Sequence, residues 1–436
     1  MKGYKTLVPI ALVICMVLSF YMLITTRTTT LKEYNTYLSE ARNYAKQGIA
    51  VDALENYAKA LAIKNTVDIN IEVGNFYVEM EDVVGAIGWG EKMVETFTKS
   101  PEAYEFLLRR YRESNDFNRC YALYDTIVKR EIESKGITEI MNGIKYVYYY
   151  GEAYDDVGVF SEGYCAVKYE GKWGLANEVG EKTAPIMFKS VGPYIDGLAP
   201  VSTEDGDIYF VDNQGNKKMT IQIEGKITDL KSIVGDTYAV NNGTAWSFYN
   251  KKYEKLSSDY SNTSLLANTV VAVEQDSQWV ILNDKFEKIN DNKYIEVVQD
   301  DRGIIYRNGA IFVNQDSSYS MIDVSGKKIT ETKFLDAKLF LDTTYAAVKV
   351  DKGWTFIDAK GEFVFKDLYF EDANSFTNGF AAVKKDGQWG YIDLDGNVAI
   401  DFQFKEAKDF NASGCAFVKN EDIWQLVRLY SKNYES

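Results

Sequence analysis

Beyond residue 147 the chain alternates apolar and polar residues in short runs broken by Asp, Asn and Gly. A period of two marks half-buried strands. Residues 381–393, AAVKKDGQWGYID, alternate around a Gly-containing centre and read as a β-hairpin. Val383 is β-branched and suits a pleated surface, and Trp389 and Tyr391, two apart, share one strand face. DLDGN (393–397) then turns the chain, because Asp bonds nearby backbone and Gly accepts positive φ.

This grammar recurs. Trp173, Trp246, Trp279, Trp354, Trp389 and Trp424 occupy one site of an internal repeat, and Ile208 and Tyr319 fill it in two more copies; the spacings are 35, 38, 33, 40, 35, 35 and 35 residues. Seven copies place a valine six residues before the anchor (Val167, Val240, Val273, Val313, Val348, Val383 and Val418). Seven place Asp or Asn four residues after it (Asn177, Asp212, Asn250, Asn283, Asp323, Asp358 and Asp393). Upstream, apolar residues recur every three, as in Phe370, Ala373 and Phe376 before Gly379, Phe188, Val191 and Tyr194 before Gly197, and Tyr154, Val157 and Phe160 before Gly163. A fixed period in this range means stacked supersecondary units, each too small to be stable alone. Copy one opens with the aromatic run 148–150 and copy eight stops soon after Trp424. An N-terminal strand completing the last sheet would remove an exposed edge. The expectation is a β-propeller of seven or eight blades, with an open β-solenoid as the alternative. The large anchors are read as core packing, and a ladder for stacking sugars is the rival reading.

The front of the chain follows another rhythm. Residues 34–130 repeat small and aromatic residues at helical spacing: Ala41, Tyr44, Ala53, Tyr57 and Ala60, then Gly74, Tyr77, Ala86 and Met93, then Leu108, Tyr111, Cys120, Tyr124 and Ile127. This pattern resembles the tetratricopeptide repeat, although the proline expected near each repeat end is present only as Pro101. Residues 6–26 carry no charge and lie between Lys5 and Arg27; eleven of residues 7–24 are Leu, Ile, Val or Phe. These favour insertion by roughly 3–7 kcal/mol, and a helix of this length spans about 30 Å. Pro9 lies near its start, where a helix tolerates it. SFYMLITTRTTT offers no small-x-small cleavage site. Lys2, Lys5 and the terminal amine, opposed by Arg27 and Lys32, favour the N-terminus inside. The expected organisation is a signal-anchor transmembrane helix at 1–28, tetratricopeptide-like repeats at 29–145 and the β domain at 146–436, anchored in a cell membrane with the bulk of the chain extracytoplasmic.

The β repeat resembles a family as well. Lys172–Gly174 (KWG) and Gln388–Asp393 (QWGYID), followed by DGN, look like the WG β-repeat of many bacterial surface and periplasmic proteins. Other copies read WSF, WVI, WTF and WQL. The resemblance implies architecture and bacterial origin more than an activity.

Composition narrows the chemistry. There is no histidine, which removes the commonest general base and metal ligand. Cys15, Cys120, Cys165 and Cys415 form no CxxC, so neither zinc nor a redox pair is indicated. Cys165 and Cys415 hold neighbouring small-residue positions of the first and last copies, where buried thiols are the plain reading and a seam disulfide the sharp one. Net charge is −15, which repels nucleic acid. Asp393, Asp395 and Gly396 imitate a calcium loop, but its twelfth position is Phe404. Glu371 with Asp372, or Asp300 with Asp301, could pair as in a glycosidase; among 64 acidic residues such pairs also arise by chance. No catalytic residue, cofactor or metal is assigned. The expectation is a non-enzymatic, membrane-anchored scaffold or recognition protein with a protein or peptide partner, a cell-wall glycan being possible and nucleic acid excluded. The alternative is a carbohydrate-binding or carbohydrate-active propeller with carboxylates at its channel mouth. A transmembrane sensor has against it an inner segment of only five residues.

Overall fold

The computed structural model describes the backbone of residues 4–433 and the side chains of 16, 18–20 and 27–431. The chain divides into two compact units that meet in sequence at Val147/Tyr148.

The first unit is helical: α1 (Tyr4–Lys46), α2 (Ala50–Ile63), α3 (Val67–Glu79), α4 (Val83–Thr96), α5 (Pro101–Glu113), α6 (Phe117–Lys129) and α7 (Lys135–Asn142). Three-residue links join α1 to α2, α3 to α4 and α5 to α6, and each places one residue at positive φ: Gly48, Glu81 and Asn115. Asp82 and Asp116 then accept from the backbone N–H of Gly85 and Arg119, at 2.8 and 3.2 Å, and cap α4 and α6. The small residues sit where helices cross. A Cβ on Gly74 would lie 2.5 Å from the Phe106 ring, and Ala41, Ala53, Ala60 and Ala86 are fully or almost fully buried. Polar links join these helices as well: Arg42 grips Glu72 at 2.7 and 2.8 Å, and the Tyr57 hydroxyl donates to the same carboxylate. The Arg42 hydrogen bond holds the Glu72 carboxyl below its ordinary range.

The expected membrane anchor is not upheld. Among the described residues, no helix is long and apolar enough to cross a membrane. The side chains of 6–15, 17 and 21–26, on which that expectation chiefly rested, lie outside the described residues, as does Cys15. The described part of α1 is of a different kind. Arg27, Lys32 and Glu33 are exposed along it, while Tyr34, Leu38 and Ala41 pack into the helical core. The single-pass anchor and the extracytoplasmic location inferred from it fall together.

The second unit is a ring of eight antiparallel sheets, or blades, spanning 156–177, 190–220, 229–250, 262–283, 296–322, 336–357, 372–404 and 406–429. Each begins with a two-residue inner strand, followed by a hairpin of middle and outer strands. Tyr148–Tyr154 pairs antiparallel with Ile423–Leu429 and adds the fourth strand of blade 8. One cluster joins Tyr154, Cys165, Val167 and Ala176 to Cys415, Phe417, Trp424 and Leu426, so blade 1 packs on blade 8. Closure of this kind excludes the open solenoid.

The repeat positions now have physical jobs. All seven valines are buried, and each faces the residue just after its anchor, as Val383 faces Gly390. In blade 2 a longer hairpin shifts the count, and Val201 takes the equivalent place opposite Tyr209. Every Asp or Asn of the turn accepts backbone N–H bonds from the second and fourth residues after it; for Asp393 these come from Asp395 at 3.1 Å and Asn397 at 2.9 Å. The Gly of the Trp-Gly pair permits a close crossing. A Cβ on Gly390 would lie 2.7 Å from the Ile400 carbonyl oxygen, and one on Gly174 2.8 Å from that of Pro185.

The anchors are shallower than the pattern suggested. Trp246, Trp354 and Trp424 are buried, whereas Trp173, Ile208, Trp279, Tyr319 and Trp389 are half-buried. The backbone of each aromatic anchor bridges a second aromatic residue: Phe188, Tyr260, Tyr294, Phe334, Phe370, Phe404 and, across the seam, Tyr154. That second set is buried throughout. Replacing Phe404 by Ala should therefore cost about 3–5 kcal/mol, more than Trp389→Ala. Chemical denaturation of the two variants measures the difference, and equal losses would return the principal core role to the indole.

Candidate functional site: the ring centre and the hairpin face

Antiparallel topology places all eight middle-to-outer hairpin tips on one face of the ring. The two-residue tips at Glu170–Gly171, Asp276–Ser277 and Asp386–Gly387 have both residues at positive φ, as tight hairpins require. The tips carry Glu170, Glu204, Asp205, Asp207, Asp276, Asp316, Asp351, Asp386, Glu421 and Asp422, against a single lysine, Lys352. All ten carboxylates are exposed, and although the exposed Lys172 and Lys385 flank two of the tips, the balance of this face is anionic.

The opposite loops tie the blades together. Backbone N–H groups of Asp196 and Gly197 donate to Glu162, and that of Gly235 to Asp196. Asn268 donates to the Tyr306 carbonyl at 3.0 Å and Arg307 to that of Leu341 at 2.9 Å. Asn378 donates through its backbone to Asp342 at 3.1 Å and through its side chain to the Phe410 carbonyl at 2.8 Å. Asn411 donates to the Glu178 carbonyl at 2.8 Å and links blade 8 back to blade 1.

At the centre, three lysines occupy one register position, the residue after the inner strand: Lys231 in blade 3, Lys338 in blade 6 and Lys408 in blade 8. Each ammonium lies over its own blade's anchor, 5.0, 5.0 and 5.7 Å from the rings of Trp246, Trp354 and Trp424. Lys338 reaches Asp372 at 3.1 Å and the Asn374 amide oxygen at 2.9 Å in the next blade. The Asn374 NH2 donates onward to Asp409 at 2.9 Å. Asp409 is half-buried, and protein surrounds it. Burial pushes its carboxyl up to about 6; the Asn374 hydrogen bond opposes this, Asp301 adds to it, and Lys338 and Lys408 oppose it.

Blade 5 departs from the plan. Its inner and middle strands are joined by 13 residues (298–310), where blade 7 uses six (374–379). The extra chain forms a strap. Asp300 accepts from the backbone N–H of Arg302 and Ile304, and holds the Arg302 guanidinium at 2.6 Å. Leu265 N–H of blade 4 donates to the Gly303 carbonyl at 2.7 Å. Lys408, three blades away, approaches Asp301 at 3.5 Å. The strap thus reaches into the ring's centre.

The sequence-level acid pairs are thereby accounted for. Asp300 is locked by Arg302, and Asp301 points to Lys408. Glu371 accepts from the Gly387 backbone N–H at 3.1 Å, and Asp372 is shared by Lys338 and the Ala373 backbone N–H. Asp393 serves its own turn, as above. Cys165 and Cys415 are both buried free thiols, each pushed up to about 12 by burial. Sequence reasoning missed the lysine level, Asp409 and the strap. The one available trace of the strap was the 40-residue interval from Trp279 to Tyr319.

Comparison with known proteins agrees on the repeat. The model described as "WG containing repeat" matches residues 153–173, 173–206, 354–389 and 389–424, so the chain carries WG repeats in the first and last parts of the ring. No curated protein matches the chain. Among solved structures, it is similar to Kluyveromyces lactis Hsv2p at 11% identity and a TM-score of 0.38, over 57% of this chain and 96% of that one. It is also similar to the Myceliophteria thermophila Cps50 (Swd1) β-propeller domain at 9% identity and a TM-score of 0.32, over 62% of this chain and 99% of that one.

The Asp409 shift has a definite sign. The folded state holds this proton more tightly than the unfolded chain, so ionising Asp409 destabilises the fold as pH rises from about 4 to about 6. Asp409→Asn should raise stability by about 1–2 kcal/mol at pH 8, and the gain should vanish below pH 4. Melting curves of both proteins across that window check it; a pH-independent difference would refute the burial account.

Proposed function

We propose that this chain is a non-catalytic interaction scaffold that recognises a basic segment of a protein partner on the hairpin face of its ring. The observation that carries this reading is the charge of that face, ten exposed carboxylates against one lysine at the tips. Such a field steers basic partners and repels nucleic acid. Exposed apolar side chains on the same face, Tyr169, Ile295, Leu335 and Ile423, supply contact area among the charges. A repeat ring also suits this work, because its tips vary without disturbing the blades. The carboxylate pairs that would serve a glycosidase are already bonded within the fold, which favours binding over catalysis. The helical hairpins, with their tetratricopeptide-like pattern, add a second surface for a peptide or helix.

The test uses the full chain as bait, beside a variant carrying Asp276→Asn, Asp316→Asn, Asp351→Asn and Asp386→Asn. Partners captured by the native chain should be released as salt rises from 50 to 500 mM, and the variant should lose them at least tenfold. Equal capture by both proteins sinks the hairpin-face reading. Saturable glycan binding that is lost in Trp173→Ala with an unchanged melting point would establish the carbohydrate alternative instead.

A further inference from the structure

We propose that the ring centre at the level of Lys231, Lys338 and Lys408 is a binding site for a carboxylate ligand, with Asp301 of the strap as its built-in occupant. The site is independent of the scaffold reading.

Two separate observations lead here. The first is a charge left over. Lys338 and Lys231 hold equivalent positions, and each lies over a tryptophan. The blade that follows Lys338 offers Asp372 and Asn374, and Lys338 bonds both. The blade that follows Lys231 offers Asn262 and Ser264 at those positions. Lys231 is half-buried, and among the described residues its ammonium has no hydrogen-bond or ion-pair partner beyond the face of Trp246. Burial pulls its pKa below the ordinary value, with Asp229 opposing. A desolvated cation whose nearby acid, Asp229, makes no ion pair with it is under-compensated, and an incoming anion would relieve that cost.

The second observation is the strap. A segment present in one blade of eight carries a carboxylate across the ring to Lys408 at 3.5 Å, a loose ion pair. The Asp301 side chain is 67% exposed and that of Lys408 28%, so the strap carboxylate can be displaced without unfolding a blade. The remainder of the strap stays fixed through Asp300, Arg302 and the Gly303 carbonyl. A ligand with two carboxylates would complete the shell of Lys231 with one and take the place of Asp301 on Lys408 with the other.

Calorimetric titration of the full chain with sodium succinate, against sodium chloride at matched ionic strength, tests the site. The native chain should bind succinate saturably. Asp301→Asn should tighten binding severalfold by freeing Lys408, and Lys231→Gln should weaken it at least tenfold. A parallel titration with an end-blocked tri-glutamate separates the sources: binding of succinate alone indicates a small free acid, and stronger binding of the peptide indicates an acidic protein segment. No saturable binding of either probe to the native chain or to Asp301→Asn, with circular dichroism unchanged, overturns the proposal. Undiminished binding by Lys231→Gln overturns it equally. Capture of protein partners by Lys231→Gln should be unaffected, so the two functional readings fail separately.

Discussion

The antiparallel pairing of Tyr148–Tyr154 with Ile423–Leu429 is the contact on which the β unit depends. Sheets of three or four short strands are marginal alone, and an array of them ends in two open faces, those of the first and last blades. This pairing removes both. Once blade 8 borrows its fourth strand from the start of the ring, Tyr154 and Val167 can pack against Phe417 and Trp424, and Asn411 can reach Glu178. Each blade then has two neighbours, and no face of the repeat is left uncovered.

Chemistry gathers where the repeat does not fix the residue type. The buried inner-strand residue, Val157 or Ala373 for example, is held by its neighbours. The residue after it follows no common packing rule. It is Gly158, Gly192, Lys231, Ser264, Val298, Lys338, Asn374 and Lys408 in successive blades. Strict repetition at one position and free variation at the next is how a uniform scaffold acquires a particular centre.

What could be read from the sequence followed the same division. The Trp period, the valines and the turn acids were legible because each is a local requirement: a strand face, a packed methyl pair, a carboxylate bonding its own backbone. The depth of the indoles was not legible, since burial depends on the aromatic residue that arrives about 15 positions later from the next blade. Phe188, Tyr154 and Phe370 were visible in the every-third pattern, but their bridge to the anchor is a tertiary fact. The strap left only a long interval, and the Lys408–Asp301 pair joins residues 107 positions apart. The front of the chain misled for another reason. Hydropathy over 6–26 weighs a window by itself, while α1 is one element of 43 residues whose later turns belong to a helical core.

The closing strand also governs how such a chain comes into being. Tyr149 lies opposite Arg428, so the first residues of the ring must wait for nearly the last. During synthesis the blades can collapse in order, yet the nascent domain keeps an unpaired margin until its final segment leaves the ribosome. Long-range partnerships of this sort slow folding, and a raw edge invites mispairing with neighbouring chains. The half-made ring is thus the stage at which this topology is most open to mispairing.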